Sequence, residues 1–308
     1  MEKPTFDPFS NKPDISASSR KLYTFNLTKL NGGKEIKNLN FLSKPEILEK
    51  LEEMTPNTRR TYIIAIVSSL KDRPEAKYKK LYAKFYEHLI KINADLKTNN
   101  TKSEKQEANW LPQEEVMKTC SELAEVIPQI QSKKSVSPAE YDTLLKAVVL
   151  GLYALQKPRR NKDYTDCLIV KKVPEDTTHN YLDIENWEWV FNNYKTEKTY
   201  KQKKMAVPEE LKTILQVYLK FHPCSKQIKK KSFEPVPFLA HQDGKPINTS
   251  TEMTRMLNKI FGKKVGSSLL RNIFLTDKYG KVAKEMANDV SEMGTSIQVA
   301  NDNYIKQD

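Results

Sequence analysis

Apolar positions along the chain form two blocks of helical periodicity separated by a polar run. Residues 1 to about 20, with Pro4, Pro8, Pro13, Ser16, Ser18 and Ser19, show no periodicity and predict a flexible arm extending to residue 37. From Pro45 onward Ile47, Leu48 and Leu51 share one helix face, and Thr55-Pro56-Asn57-Thr58 begins a second helix before Tyr62, Ile63, Ile66, Val67 and Leu70. Pro74 breaks that helix, after which Tyr78, Leu81, Tyr82, Phe85, Leu89 and Ile90 recur at spacings of three and four. Residues 38–96 therefore predict a small helical domain. The run 97–109, KTNNTKSEKQEAN, has no apolar face and predicts an interdomain linker.

The second block, 110–308, begins at Trp110-Leu111-Pro112, with Glu114 and Glu115 suited to a first helical turn. Tyr141 to Leu155 is apolar nearly all round, as a buried helix requires. Trp187, Trp189 and Phe191 alternate with polar residues, and Met205-Ala206-Val207-Pro208 follows a lysine-rich turn, so a β-hairpin is expected, its aromatic residues read as strand core. Leu211–Phe221, Ser250–Phe261, Ser268–Tyr279 and Lys281–Val290 read as helices, with an Asp243-Gly244 turn between the first two. The expected fold class is mainly α with a small antiparallel β-sheet: a helical N-terminal domain and a mixed α+β C-terminal one.

At 308 residues the chain suits about two domains of roughly 150 residues each. With 38% hydrophobic and 30% charged residues, a disordered chain and a membrane protein are both disfavoured. The longest uncharged apolar stretch, Ala147 to Gln156, is about half the roughly 20 residues of a spanning helix. The N-terminus lacks an apolar signal core, so an intracellular location is expected. Cys120, Cys167 and Cys224 have neither disulfide-framework nor zinc-site spacing and read as reduced thiols. No metal site or cofactor is expected: the eight glycines form no phosphate-binding loop, and His88, His179, His222 and His241 belong to no ligand or nucleophile motif. The net charge of +13 points to a polyanion, and from charge alone nucleic acid and an anionic membrane surface fit equally.

What remains is a set of basic residues at element boundaries and a tyrosine late in the chain. Arg160 follows the buried helix ending Leu152-Tyr153-Ala154-Leu155 and has Asp163 three residues on. Lys195 lies in Tyr194-Lys195-Thr196-Glu197-Lys198-Thr199 ahead of the strand at Met205. Arg271 ends Ser268-Leu269-Leu270-Arg271, and Met293-Gly294-Thr295-Ser296 places Thr295 nine residues before Tyr304. In this order, and following Thr58-Arg59-Arg60-Thr61-Tyr62 in the helical block, the motifs resemble those of the tyrosine recombinase (phage integrase) family over nearly the whole chain. The tail Asn303-Tyr304-Ile305-Lys306 is most similar to the branch found in large eukaryotic DNA viruses and their mobile elements.

The resemblance implies a core-binding domain and a catalytic domain closing on duplex DNA, cleavage and rejoining through a 3′-phosphotyrosyl link, and integration or excision of an element by a homotetramer on two DNA sites. It further implies Tyr304 as nucleophile, Arg160 and Arg271 as the phosphate clamp, Lys195 as general acid, and no metal. The residue types suit the chemistry: two guanidiniums can bind bidentately the oxygens that gather charge in the transition state, and an ammonium can protonate the leaving 5′-oxygen. Ser268 and Thr295 stand where the family has histidine; a hydroxyl can still bond to a phosphate oxygen, though each taken alone reads by default as a helix N-cap. Arg159, beside Arg160, leaves the register of the first arginine open. Lys198, Lys201, Lys203 and Lys204, with Arg59 and Arg60, are expected to hold the DNA backbone, and any of the hairpin lysines could be the acid. Two other readings stand beside the recombinase: an inactive DNA-binding protein of the same fold, and relaxation of DNA in the manner of a type IB topoisomerase.

Overall fold

The computed structural model describes residues 6–98 and 101–305. Positions 1–5 of the expected arm, 99–100 of the expected linker, and 306–308 lie outside the described residues. The chain divides into two compact units, Met1–Lys102 and Ser103–Asp308.

The first unit is helical: α1 (Ala17–Leu30), α2 (Pro45–Glu52), α3 (Pro56–Leu70) and α4 (Ala76–Thr98), with a 3₁₀ turn at Asn40–Ser43. Helix α3 lies at its centre, packed on α1 and α4, and its residues Tyr62, Ile63, Ala65, Ile66, Val67 and Leu70 are all buried. Here the expected arm is corrected. Residues 17–30 are a helix capped by the Ser16 hydroxyl, and Phe9 is completely buried with Leu27 and Leu30 in the unit's core. Asn11 donates to the Ser68 carbonyl (3.1 Å), and Arg20 pairs with Asp7 (2.8 Å), so the segment is fastened at several points. The buried side of α1 consists of Asn26, Leu27 and Leu30, too few apolar positions to give a periodic signal.

The second unit is built around α8 (Pro138–Ala154), which a capping box at Ser137 and Glu140 starts and which is buried along nearly its whole length. Around it pack α6 (Gln113–Ala124), α11 (Glu209–Phe221), α13 (Ser250–Phe261) and the start of α14 (Ser267–Glu292). The shorter helices are α5 (Glu104–Asn109), α7 (Ile127–Ser132), α9 (Asn161–Thr165), α10 (Glu197–Tyr200), α12 (Ser225–Ile228) and α15 (Ile297–Val299). The second half of the expected linker is therefore α5, held by a Ser103–Gln106 capping box that substitutes for an apolar face.

A five-stranded sheet in the order β4-β3-β2-β1-β5 covers one side, formed by β1 (Cys167–Val170), β2 (Asn180–Asp183), β3 (Glu188–Phe191), β4 (Lys203–Ala206) and β5 (Val236–Pro237). The β3–β4 pair is the expected hairpin, with Trp189 opposite Met205 and Phe191 opposite Lys203. The sheet is mixed rather than purely antiparallel, because β1 and β2 run parallel. Trp187 sits outside β3 in a left-handed turn (φ 51°), which corrects its placement in the strand core. The two helices expected at 268–279 and 281–290 are one continuous helix, α14, running through Gly280. Among the described residues no helix is long and apolar enough to cross a membrane.

Candidate active site

Helix α8 ends at Ala154, and the chain turns through Gln156-Lys157-Pro158 before α9 restarts at Asn161 with Arg160 as its N-cap residue. Polar side chains fix this turn. Gln156 accepts from Trp189 Nε1 (3.0 Å) and donates to the Tyr164 hydroxyl (2.8 Å), tying the end of α8 to β3 and α9. Asn161 accepts from the Tyr153 hydroxyl (2.6 Å) and donates to the Ser250 carbonyl (2.8 Å), joining α8, α9 and α13. The backbone carrying Arg159 and Arg160 is thus anchored on three sides.

Arg159 turns inward. Its Nε donates to Asp163 Oδ2 at 2.8 Å, and its guanidinium lies 3.8 Å from the Phe191 ring centre and 4.9 Å from that of Tyr194. The Asp163 side chain is only 2% exposed. Burial pushes its carboxyl above the usual range, against the lowering pull of Arg159 and Arg160. Arg160, one residue on, is the N-cap residue of α9 and makes no side-chain cap bond.

Arg159, Arg160 and Asp163 line a cleft of about 390 Å³ together with Lys157, Tyr194, Thr196, Tyr200, Lys203, Lys204 and Arg271. Arg271 arrives from the second turn of α14, whose Leu269, Leu270 and Ile273 are seated in the unit's core. Burial, and then the nearby cation Arg160, pull its guanidinium below the ordinary arginine value. Lys203 and Lys204 come from the edge strand β4, where Lys204 also reaches Glu188 (3.4 Å). Six cations thus face one another across the cleft, and its single lining acid, Asp163, is engaged by Arg159. Such an arrangement favours a multiply charged anion.

Of the residues expected to act, the structure brings Arg160, Arg271, Lys203 and Lys204 into this cleft. It does not bring Lys195, which is exposed in the turn between β3 and α10 and absent from the lining, because the chain runs through α10 before β4 returns beside the arginines. Lys198 and Lys201 are exposed on the same turn, with the Lys201 carbonyl accepting from the Tyr194 hydroxyl. Ser268 lines a neighbouring pocket within the first turn of α14, one helical turn from Arg271. The expected caps are corrected: Gly266 is the N-cap residue of α14, and Ser296, not Thr295, caps α15 by accepting from the Val299 amide. In the first unit, Arg59 donates to the carbonyls of Glu52 (2.6 Å) and Met54 (3.3 Å), and Arg60 to Asn93 (2.6 Å), so both guanidiniums brace helices.

Tyr304 does not line the cleft either. It is 61% exposed, at the end of a π-turn (Ala300–Tyr304) that sits with α15 on the far end of α14, where Thr295 donates to the Val290 carbonyl and Val290 and Ala300 are buried. Continuous helix at 1.5 Å per residue puts roughly 30 Å between Arg271 and that end.

Sequence reasoning missed Lys157, and it named Arg159 only as the alternative first arginine, without its inward pairing. Lys157 carries no signal that separates it from the other lysines. For Arg159 a signal existed: its spacing of four from Asp163 is the helical ion-pair spacing. No family model matches the chain, and no curated protein or solved structure matches it.

Proposed function

We propose that the protein is a DNA-cleaving and rejoining enzyme of the tyrosine recombinase type, acting on duplex DNA to integrate or excise an element. The observation that carries this reading is the meeting of Arg160, from the turn after α8, with Arg271, from α14, in a single cation-lined cleft. The two arginines are far apart in sequence, and the motif order points to both positions, with Arg159 beside Arg160 lining the same cleft. A phosphodiester in the cleft would be gripped by Arg160 and Arg271, while Arg159, pinned by Asp163 and stacked on Phe191, would hold the turn and add a fixed positive potential.

Tyr304 would attack phosphorus to form the 3′-phosphotyrosyl bond. A free phenol with a pKa near 10 is only about 0.1% ionised at pH 7, so the cations of the cleft must favour phenolate character once Tyr304 has been brought to the phosphate. The departing 5′-oxygen needs a proton, and Lys203 and Lys204 are better placed than Lys195 to give it, since they line the cleft. The covalent link keeps the energy of the broken bond, which allows a 5′-hydroxyl from another strand to reverse the step.

The direct test incubates the protein with nicked suicide duplexes tiled across the DNA that flanks its gene, followed by a denaturing gel. A covalent adduct that Tyr304→Phe abolishes supports the reading; its absence with the wild-type protein overturns it. The remote position of Tyr304, with Ser268 and Thr295 where the family has histidine, favours a second reading, an inactive protein that binds DNA through the same cleft. That reading predicts binding that Arg271→Ala weakens and no adduct under any condition.

A further inference from the structure

Tyr200 is the one exposed aromatic ring in the lining of the cleft, at 58% exposure. Tyr194, the other phenol of the lining, is buried, lies against Arg159, and donates its hydroxyl to the Lys201 carbonyl (2.5 Å). A single exposed aromatic residue on a surface needs no explanation, but this one is held in place. The turn between β3 and β4 is closed by the Tyr194–Lys201 bond and by Gln202, which donates to Asn192 (2.8 Å). Asn180 fixes its start, since its side-chain oxygen accepts from the amides of Asn192 and Asn193 (both 2.9 Å). Lys201, directly after Tyr200, has φ 55° and ψ −163°, a conformation that residues bearing a Cβ rarely adopt. The closed turn imposes it, and there the chain leaves α10 for β4 with the Tyr200 ring at the cleft. Strain kept beside a cleft points to a ligand that uses the geometry it fixes.

The ring's neighbours say what that ligand is. Lys203 Nζ lies 5.9 Å from the ring centre, and Lys157, Arg160, Lys204 and Arg271 line the same cleft. Cations that grip phosphate beside an aromatic face that takes a base are the two groups by which a single nucleic-acid strand is held. A phosphorylated side chain or an inorganic polyphosphate would use the cations and leave the ring idle. In an intact duplex each base is covered by its neighbours, so a ring standing beside the backbone reaches a base face only when that nucleotide leaves the stack. We infer that the cleft binds an unstacked nucleotide, its phosphate on the cations and its base on Tyr200.

This inference rests on the reading of the cleft as a DNA phosphate site and adds to it the form of DNA that the site selects; it needs neither Tyr304 nor cleavage. The cost of taking a base out of the stack falls in full on paired DNA and least on a mismatched or single-stranded nucleotide, so DNA with an unpaired base at the held phosphate binds best. The strained turn has a part in this. It fixes the ring before the nucleotide arrives, so no ordering of the aromatic side chain has to be met on binding.

The test is fluorescence anisotropy on the full chain with labelled strands of about ten residues: an oligodeoxythymidylate, an abasic strand with the same sugar–phosphate backbone, and a fully paired duplex. Tyr200→Ala should weaken binding of the oligodeoxythymidylate about tenfold, the factor expected for one base stacked on an aromatic ring, and leave binding of the abasic strand unchanged. Tyr200→Phe should bind both single strands as the wild type does, and Lys203→Ala should weaken both alike. Equal effects of Tyr200→Ala on the two single strands, whether a loss or none, overturn the stacked base. So does a wild-type protein that binds the duplex and not the oligodeoxythymidylate, a result that leaves the cleft's DNA reading standing. No binding of any of the three DNAs overturns that reading, and this inference with it.

Discussion

Replacing Asp163 tests the account of the cleft at its most buried charge. The carboxylate is 2% exposed and bonds Arg159 at 2.8 Å, while the Arg159 side chain is 20% exposed and also lies against Phe191 at 3.8 Å. Breaking a buried pair from one side costs about 3–5 kcal/mol, because the other charge is left without a partner. Here the orphan keeps its aromatic contacts, worth about 0.5–2 kcal/mol, and some water. Asp163→Ala should therefore cost about 3 kcal/mol. Asp163→Asn should cost only about 1 kcal/mol: the amide oxygen can still accept from Arg159, and losing the charge removes the burial penalty that raises the carboxyl's pKa. A raised folded pKa means the group stabilises most below its ordinary value of 3.8 and loses that contribution as pH rises through the folded value. The stability of wild type relative to Asp163→Asn must then fall with rising pH across that window. Urea unfolding followed by tryptophan fluorescence is a clean assay, because Trp110, Trp187 and Trp189 all lie in the second unit. Equal costs for Ala and Asn, or a wild-type advantage that widens as pH rises, would refute the reasoning and mean that Coulomb attraction to Arg159 outweighs burial.

Alanine at Lys203 or Lys204 should weaken DNA binding and lower the slope of log affinity against log salt by about 0.9 per lost phosphate contact, whereas Lys195→Ala should change it little; fluorescence anisotropy across a salt series decides between them. His222 is 1% exposed, and burial pushes its imidazole down to about 4 from 6.5, with Nδ1 accepting from the Cys224 amide. Its stabilising contribution is present above 6.5 and is lost as pH falls toward 4, about 3 kcal/mol in all, and His222→Phe should flatten that part of the stability–pH curve. Phe9→Ala should cost the first unit about 3–5 kcal/mol in thermal or urea unfolding monitored by circular dichroism, since Phe9 is fully buried; a cost under about 0.5 kcal/mol would restore the flexible-arm expectation.

Elements whose burial repeats at a helical period are legible in the amino-acid pattern. The runs that became α2, α3, α4, α8 and α11 could be read because each buries several apolar residues at regular spacing, and the hairpin was legible from the alternation at Trp189 and Phe191. The candidate cations Arg160 and Arg271 were named through the order of motifs that carries the family resemblance, with Arg159 left open beside Arg160. Segments stabilised by a few buried side chains or by capping left no such trace: α1 with Phe9, α5 with its capping box, and the short strands β1, β2 and β5. Which cations share a cleft follows from the folded path of the chain. That choice depends on the return path of β4, which brings Lys203 and Lys204 beside the arginines and leaves Lys195 outside, and on the Asp163 pairing that turns Arg159 inward. The folded path also decides where Tyr304 sits. Whether 268–290 forms two helices or one is a matter of a single glycine, Gly280, whose helical cost relative to alanine is about 1 kcal/mol. Because the helix runs unbroken, the tyrosine stands at the opposite end of it from Arg271 rather than beside it.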